Sequence, residues 1–171
     1  MEKIIDQLYV GDDNDDEKAS TKDWSILVCA KDGPHGHRHM LGYTTQGAPK
    51  DKNYYFVQKG NRMALNLIDY DDPHKIQEEA VNAGLEFIRE QIGEGKNVLV
   101  HCNAGHSRGP TTALMYLRTI GEMPGSFHQS ETKFKTLYPK FSPAQGMEQF
   151  AKANWRSLLY EGKTHNVGSK D

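Results

Sequence analysis

Little in this chain points to a covalent staple, a membrane or a large charged partner. Cysteine occurs twice in 171 residues, at Cys29 and Cys102. Two are too few for a disulfide-stapled secreted scaffold and suit a reducing, cytoplasmic setting. No apolar run approaches the ~20 residues that a membrane-spanning helix needs, and no signal peptide is expected. The formal net charge is only −2. That gives no general attraction to nucleic acid or a membrane surface, so neither is expected as a partner. There is no internal repeat. The length fits one domain with a sizeable core, expected over residues 1–162, with 163–171 as a disordered tail.

What is present is concentrated in His101-Cys102-Asn103-Ala104-Gly105-His106-Ser107-Arg108. An apolar run, Asn97 to Val100, precedes it, and a helix-like run, Pro110 to Ile120, follows. A buried strand thus delivers a cysteine to a tight loop, and a helix leaves from the far side. Five residues separate Cys102 from Arg108, enough for a loop that curls around one tetrahedral anion. The backbone N–H groups of Asn103, Ala104, Gly105, His106 and Ser107 can converge on that anion, with a helix N-terminus behind them. Arg108 can close the ring with a two-pronged contact. The same field favours the thiolate form of Cys102. The chemistry suggested is attack by sulfur on a bound phosphate.

These eight residues match the H-C-x5-R signature of the cysteine-dependent protein tyrosine phosphatase superfamily, and the chain resembles its dual-specificity type. Leu8-Tyr9-Val10-Gly11 before a strand is similar to the family's opening. Tyr138-Pro139-Lys140-Phe141-Ser142-Pro143 through Phe150 is similar to its closing segment. The resemblance implies an α/β fold, a central mostly parallel sheet flanked by helices. It implies a phosphomonoester hydrolase that forms a phosphocysteine and needs neither cofactor nor metal. Its substrates would be phosphotyrosine in proteins, with phosphoserine and phosphothreonine as further candidates. Three alternatives stay open: a phosphoinositide hydrolase, an RNA 5′-phosphate hydrolase, and a catalytically weak phosphate-binding module. The oligomeric state is not legible.

Expulsion of an alkoxide or phenoxide calls for a proton donor, and three aspartates compete. Asp72 precedes Pro73 and is better explained as an N-cap. Asp69 ends a strand, where hydrogen bonding to the next turn is its ordinary role. Asp71, counted back from Phe87-Ile88, takes the position of the general acid in many dual-specificity phosphatases. Asp71 is preferred, with Asp69 second.

Gly109 departs from the family pattern, which places Ser or Thr after the arginine to hydrogen-bond the sulfur. Its absence predicts slow breakdown of the phosphocysteine, a gain from Gly109→Ser, and Ser107 or Thr111 as substitutes. Cys29, at a strand's C-terminal end, reads first as a small buried hydrophobe and second as a disulfide partner for Cys102. The resemblance supports the second reading, because some relatives carry a resolving cysteine on a similar strand.

Elsewhere the pattern predicts strands or hairpins over 3–11, 23–30 and 63–68, and a helix burying Ile76, Ala80, Ala83, Phe87 and Ile88. The acidic run 12–17 reads as a solvated loop. Residues 33–62 read as an irregular excursion with a short strand near Tyr54-Tyr55-Phe56. Its alternating His35, His37 and His39 fit a mobile surface loop better than zinc, for want of a fourth ligand. A short helix over 130–138 is expected to bury Phe134 and Leu137. Ser142 to Gln145 reads as a capping box for a last helix with Met147, Phe150, Ala151 and Leu158 on one face. His101 is expected to hydrogen-bond loop carbonyls, and His106 to face outward as a candidate substrate contact.

Overall fold

The structure is a computed structural model that describes residues 1–168, with side-chain surroundings through Leu159. Six strands, β1 (Glu2–Ile5), β2 (Leu8–Gly11), β3 (Trp24–Val28), β4 (Phe56–Lys59), β5 (Arg62–Leu65) and β6 (Asn97–His101), form one sheet in the order β1-β2-β6-β3-β5-β4. The central pairs β2–β6, β6–β3 and β3–β5 are parallel. The outer pairs β1–β2 and β4–β5 are antiparallel. The sheet is therefore mixed, parallel where it is buried on both faces, which is where parallel pairing is found. Helices α1 (His37–Leu41), α2 (Glu78–Gly93), α3 (Arg108–Thr119), α4 (Phe127–Leu137) and α5 (Gln145–Gly168) complete the chain, with 3-10 turns at Asp13–Ala19 and Pro73–Lys75.

Side chains of a strand alternate between faces, and β6 shows the consequence. Val98, Val100 and Cys102 join the large core that α2 to α5 cover. Leu99 faces the other way, into a smaller core with Ile26, Val28, Val57 and Ala64, beside Ala19 of the first 3-10 turn and Met40 and Leu41 of α1. His101 follows Leu99 by two and shares its face.

Most expected elements are present, and the departures have physical reasons. The acidic run is no solvated loop. Asp12 caps the first 3-10 turn through a reciprocal box with Asp15, and Asp15 and Asp16 are buried. Residues 33–62 are ordered by polar contacts rather than apolar periodicity. His37 is fully buried, with Nδ1 2.9 Å from Tyr43 Oη and Nε2 2.7 Å from the Asn53 carbonyl. His35 packs against Asp16, and His39 is exposed, so the three histidines serve different places.

Helix α4 begins at Phe127 on a Ser126–Gln129 capping box and leaves Leu137 37% exposed, while Phe134 is buried. Ser142 does not cap α5, because that helix starts at Gln145 and the Ser142 N–H donates to His106 O. The tail expected over 163–171 falls on the end of α5, traced through Gly168, and on 169–171, which lie outside the described residues. Among the described residues no helix is long and apolar enough to cross a membrane.

Candidate active site

Strand β6 ends at His101, and helix α3 begins at Arg108, so residues 102–107 form the turn between them. Its tightness rests on two glycines. Gly105 has φ +76°, the left-handed region that favours glycine, and a Cβ there would sit 3.0 Å from Tyr138 Oη and 3.1 Å from Gly11 O. Tyr138, buried, donates its hydroxyl to the Gly105 carbonyl at 2.8 Å and so fixes that carbonyl. Burial first, and then the charge of Cys102, push the Tyr138 hydroxyl well above its usual range, which keeps it a donor. Gly109 lets α3 rest directly on β6. A Cβ there would lie 2.9 Å from the His101 carbonyl carbon and 3.0 Å from Cys102 N.

Other segments grip the same turn. Asn103 Nδ2 donates to Asp32 O at 3.1 Å, and Gly33, at φ +102°, leaves the room that the Asn103 amide fills. Asn103 O accepts from Asp13 N at 3.3 Å. His106 is exposed, with Nδ1 3.1 Å from Lys140 O, as its outward orientation anticipated. Ala104 is exposed as well.

Cys102 is 2% exposed at the base of this turn. Arg108 Nη1 donates to Leu67 O at 3.1 Å, whereas its Nε is buried without a hydrogen-bond partner among the described residues. Buried guanidinium donors are almost always paired, so an unpaired one beside a cysteine loop marks a place for an acceptor. Ser107 is not free to serve the sulfur. Its hydroxyl donates to Asp69 Oδ1 at 2.9 Å and accepts from Ala144 N at 2.8 Å. Thr111 Oγ1 is buried without a partner among the described residues.

The three aspartates separate cleanly. Asp72 caps the 3-10 turn at Pro73, accepting from His74 N at 2.9 Å. Asp69 is tied to Ser107, an anchor across the fold rather than to its own next turn. Asp71 is exposed and makes no side-chain hydrogen bond or ion pair among the described residues. Gly146 of α5 packs directly on the Tyr70 and Asp71 backbone, where a Cβ would overlap Tyr70 O. The 69–71 segment is thus braced from two sides, with the Asp71 carboxyl left free.

Sequence reading missed the groups on the far face of β6. His101 is fully buried, with Nδ1 3.1 Å from Cys102 O, the expected carbonyl contact. Its Nε2 lies 2.7 Å from Asp16 Oδ2, which was not expected. Arg62 Nη2 and Nη1 donate to Asp16 Oδ1 and Oδ2 at 2.6 and 2.8 Å. Burial alone would raise the Asp16 carboxyl, but the Arg62 and His101 hydrogen bonds outweigh it and hold the group far below the usual carboxylate range. One signal was available: Asp12 and Asp15 have the spacing of a capping box, which a solvated loop has no use for.

Comparisons with known proteins point to one family of domains. The family model described as "PTP-SAK: Swiss Army Knife protein, DSP-PTPase phosphatase domain" matches residues 34–157. Dual specificity protein phosphatase 22-A of Danio rerio is 25% identical over 151 residues, covering 87% of this chain and 62% of that protein. Dual specificity protein phosphatase 12 of Homo sapiens is 31% identical over 81 residues, covering 47% of this chain and 22% of that protein. The chain therefore spans less than two thirds of the length of these relatives. Among solved structures, DUSP15 superposes with a TM-score of 0.66 at 17% identity, over 95% of this chain and 92% of that one. Human DUSP28 gives 0.61 at 14% identity, over 94% and 99%. At these identities the two structures show the fold.

Two expected outcomes follow from the geometry. The close contact of Gly109 with backbone argues against the gain expected from Gly109→Ser. Main-chain atoms cannot rotate aside, so the substitution should cost about 1–3 kcal/mol in thermal or urea unfolding and lower kcat. A folded Gly109→Ser variant with higher kcat would contradict this. Cys29 continues the β3–β6 register in which Val28 faces His101, and its N–H donates to His101 O at 2.7 Å. Cys29 and Cys102 thus stand side by side on one face, at the ~4.8 Å strand spacing that a disulfide spans. Burial, and then Cys102, push the Cys29 thiol up to about 12, so the isolated thiol is inert. Peroxide should nevertheless yield a Cys29–Cys102 bond in peptide maps. Sulfinic acid at Cys102 with Cys29 unmodified would exclude it.

Proposed function

The chain belongs to the family of DSP-PTPase phosphatase domains, and from that premise we propose that it hydrolyses phosphate monoesters on proteins through a phosphocysteine. The observation that carries the reading is the buried, unpartnered Nε of Arg108 at the far end of the turn from Cys102. A phosphoryl oxygen is the acceptor that this donor lacks.

In the proposed reaction the N–H groups of residues 103–107 and Arg108 cradle the phosphoryl oxygens. Sulfur of Cys102 attacks phosphorus, and charge developing on those oxygens meets donors already in place. Asp71 gives its proton to the departing oxygen. The bond between phosphorus and that oxygen breaks as the bond from sulfur to phosphorus forms. Water then attacks the phosphocysteine, Asp71 takes one of its protons, and inorganic phosphate leaves with Cys102 restored as thiolate. The exposure of Asp71 supports this double duty, since water must reach the carboxylate. The family and the named relatives support phosphotyrosine, phosphoserine and phosphothreonine in proteins as substrates over inositol phosphates or RNA ends. Two free cysteines support a reducing compartment such as the cytoplasm.

Hydrolysis of para-nitrophenyl phosphate and of phosphotyrosyl peptides tests the reading. Cys102→Ser should abolish turnover while phosphopeptide binding persists; turnover at the wild-type rate would exclude the covalent route. Asp71→Asn should lower kcat by ~10²-fold or more and remove the basic limb of the pH–rate profile. Asp69→Asn should instead act mainly on stability, because its partner Ser107 keeps an acceptor. If Asp69→Asn erases the basic limb and Asp71→Asn does not, the acid is Asp69.

A further inference from the structure

The face of β6 opposite the nucleophile carries a charged cluster that the proposed reaction leaves unused. Asp16 is 1% exposed, yet it is held by three groups from three different segments. Arg62 of β5 forks onto both carboxylate oxygens, His101 of β6 meets Oδ2, and His35 Nδ1 stands 3.6 Å from Oδ1. Burial of a carboxylate is costly, and hydrophobic side chains of similar volume would do as well for stability alone. The arrangement of His101 suggests what the charge is for.

Both ring nitrogens of His101 face acceptors: Nε2 a carboxylate, Nδ1 the carbonyl of Cys102. A neutral imidazole offers only one N–H and would leave one of these two contacts as lone pair against lone pair. Only the doubly protonated ring donates to both. Asp16 is the group that makes a buried imidazolium tolerable, because Arg62 alone would repel it. The other charged or titratable groups facing His101 are few. His35 meets its ring edge-on at 6.0 Å, and Cys29, Cys102 and Arg108 lie along the end of β6.

We propose that Asp16 is a positioning residue for the nucleophile, holding His101 as the imidazolium that steadies the Cys102 carbonyl and favours the thiolate. The proposal rests on the reading of Cys102 as nucleophile. Arg62 has a different part. It fixes the carboxylate in place and, with its side chain a quarter exposed in an open surface hollow, connects the buried pair to solvent.

The sign of one shift separates this role from simple proximity of charge. Loss of a nearby anion, acting directly, would make the Cys102 thiolate easier to form. Loss of Asp16 acting through His101 does the opposite, because the ring sheds its second proton and the positive charge beside Cys102 disappears.

Two measurements on the full chain read this out. In the wild type, ring-labelled histidine should show His101 with both ring N–H groups at neutral pH in nitrogen–proton NMR; a single ring N–H overturns the proposal without any variant. Iodoacetamide labelling of Cys102, followed by peptide mapping across pH, gives the thiol midpoint. Asp16→Asn should raise that midpoint by about one unit or more. Arg62→Gln leaves the Asp16–His101 pair and should not raise it. A fall or no change in Asp16→Asn, or an equal rise in Arg62→Gln, overturns the proposal. Alkylation needs no turnover. If these shifts are found and the wild type fails to hydrolyse phosphoesters, the phosphatase reading falls while the effect of Asp16 on the Cys102 thiol stands.

Discussion

Helix α3 rests on the backbone of β6 with nothing between them at Gly109, and the candidate site depends on that contact. When a strand and a helix meet so closely, the residues joining them have little freedom. The joining turn must curl tightly, and two of its carbonyls are taken up by neighbouring segments. Tyr138 takes the Gly105 carbonyl and Asp13 takes that of Asn103. Arg108, as the first residue of α3, is carried to the end of the turn by the helix itself. The strand thus delivers the cysteine to one end of the turn, and the helix delivers the arginine to the other.

Around this turn the fold divides its polar groups by whether they must move. On the buried face of β6, Asp16, Arg62 and His101 are locked by short, multiple hydrogen bonds. On the other side Ser107 joins Asp69 to Ala144, and Gly146 lies against Tyr70. Each fixed group ties a different segment to the 102–108 turn: the first 3-10 turn, β5, the 69–71 segment and the start of α5. The turn is therefore held by the whole sheet edge, which is the preorganisation that stabilising a developing charge requires.

How much of this was legible in the sequence depends on which force decides each element. Apolar alternation is local, so β6, β3, β5 and the buried face of α2 could be read from their own residues. The strand–cysteine–glycine–arginine frame was legible for the same reason: all its parts are consecutive. Asp72 with Pro73 was another local pattern. The acidic run and the histidines of the 33–62 segment were misread because their order comes from partners outside their own short runs, whereas the short strand expected near Phe56 is β4. Asp16 is buried on account of Arg62 and His101, and His37 on account of Tyr43 and Asn53. Leu137 was misplaced because it is the last residue of α4 and stands 37% exposed while Phe134 takes the core. Gly109 was read as a missing hydroxyl, whereas its meaning is steric and lies in the neighbouring strand.

That steric meaning bears on the chemistry as a constraint rather than a defect. A residue with a Cβ at position 109 would push α3 from β6, and the turn between them would widen. On the proposed reading the chain trades a hydroxyl beside the sulfur for a tighter seat of the helix N-terminus, whose partial positive charge would act on the sulfur and on a phosphate. The proposed part of Asp16 and His101 works in the same direction from the opposite face of the strand. On the proposed reading, the work of one local hydroxyl falls to main-chain and buried charged groups that the fold itself holds still.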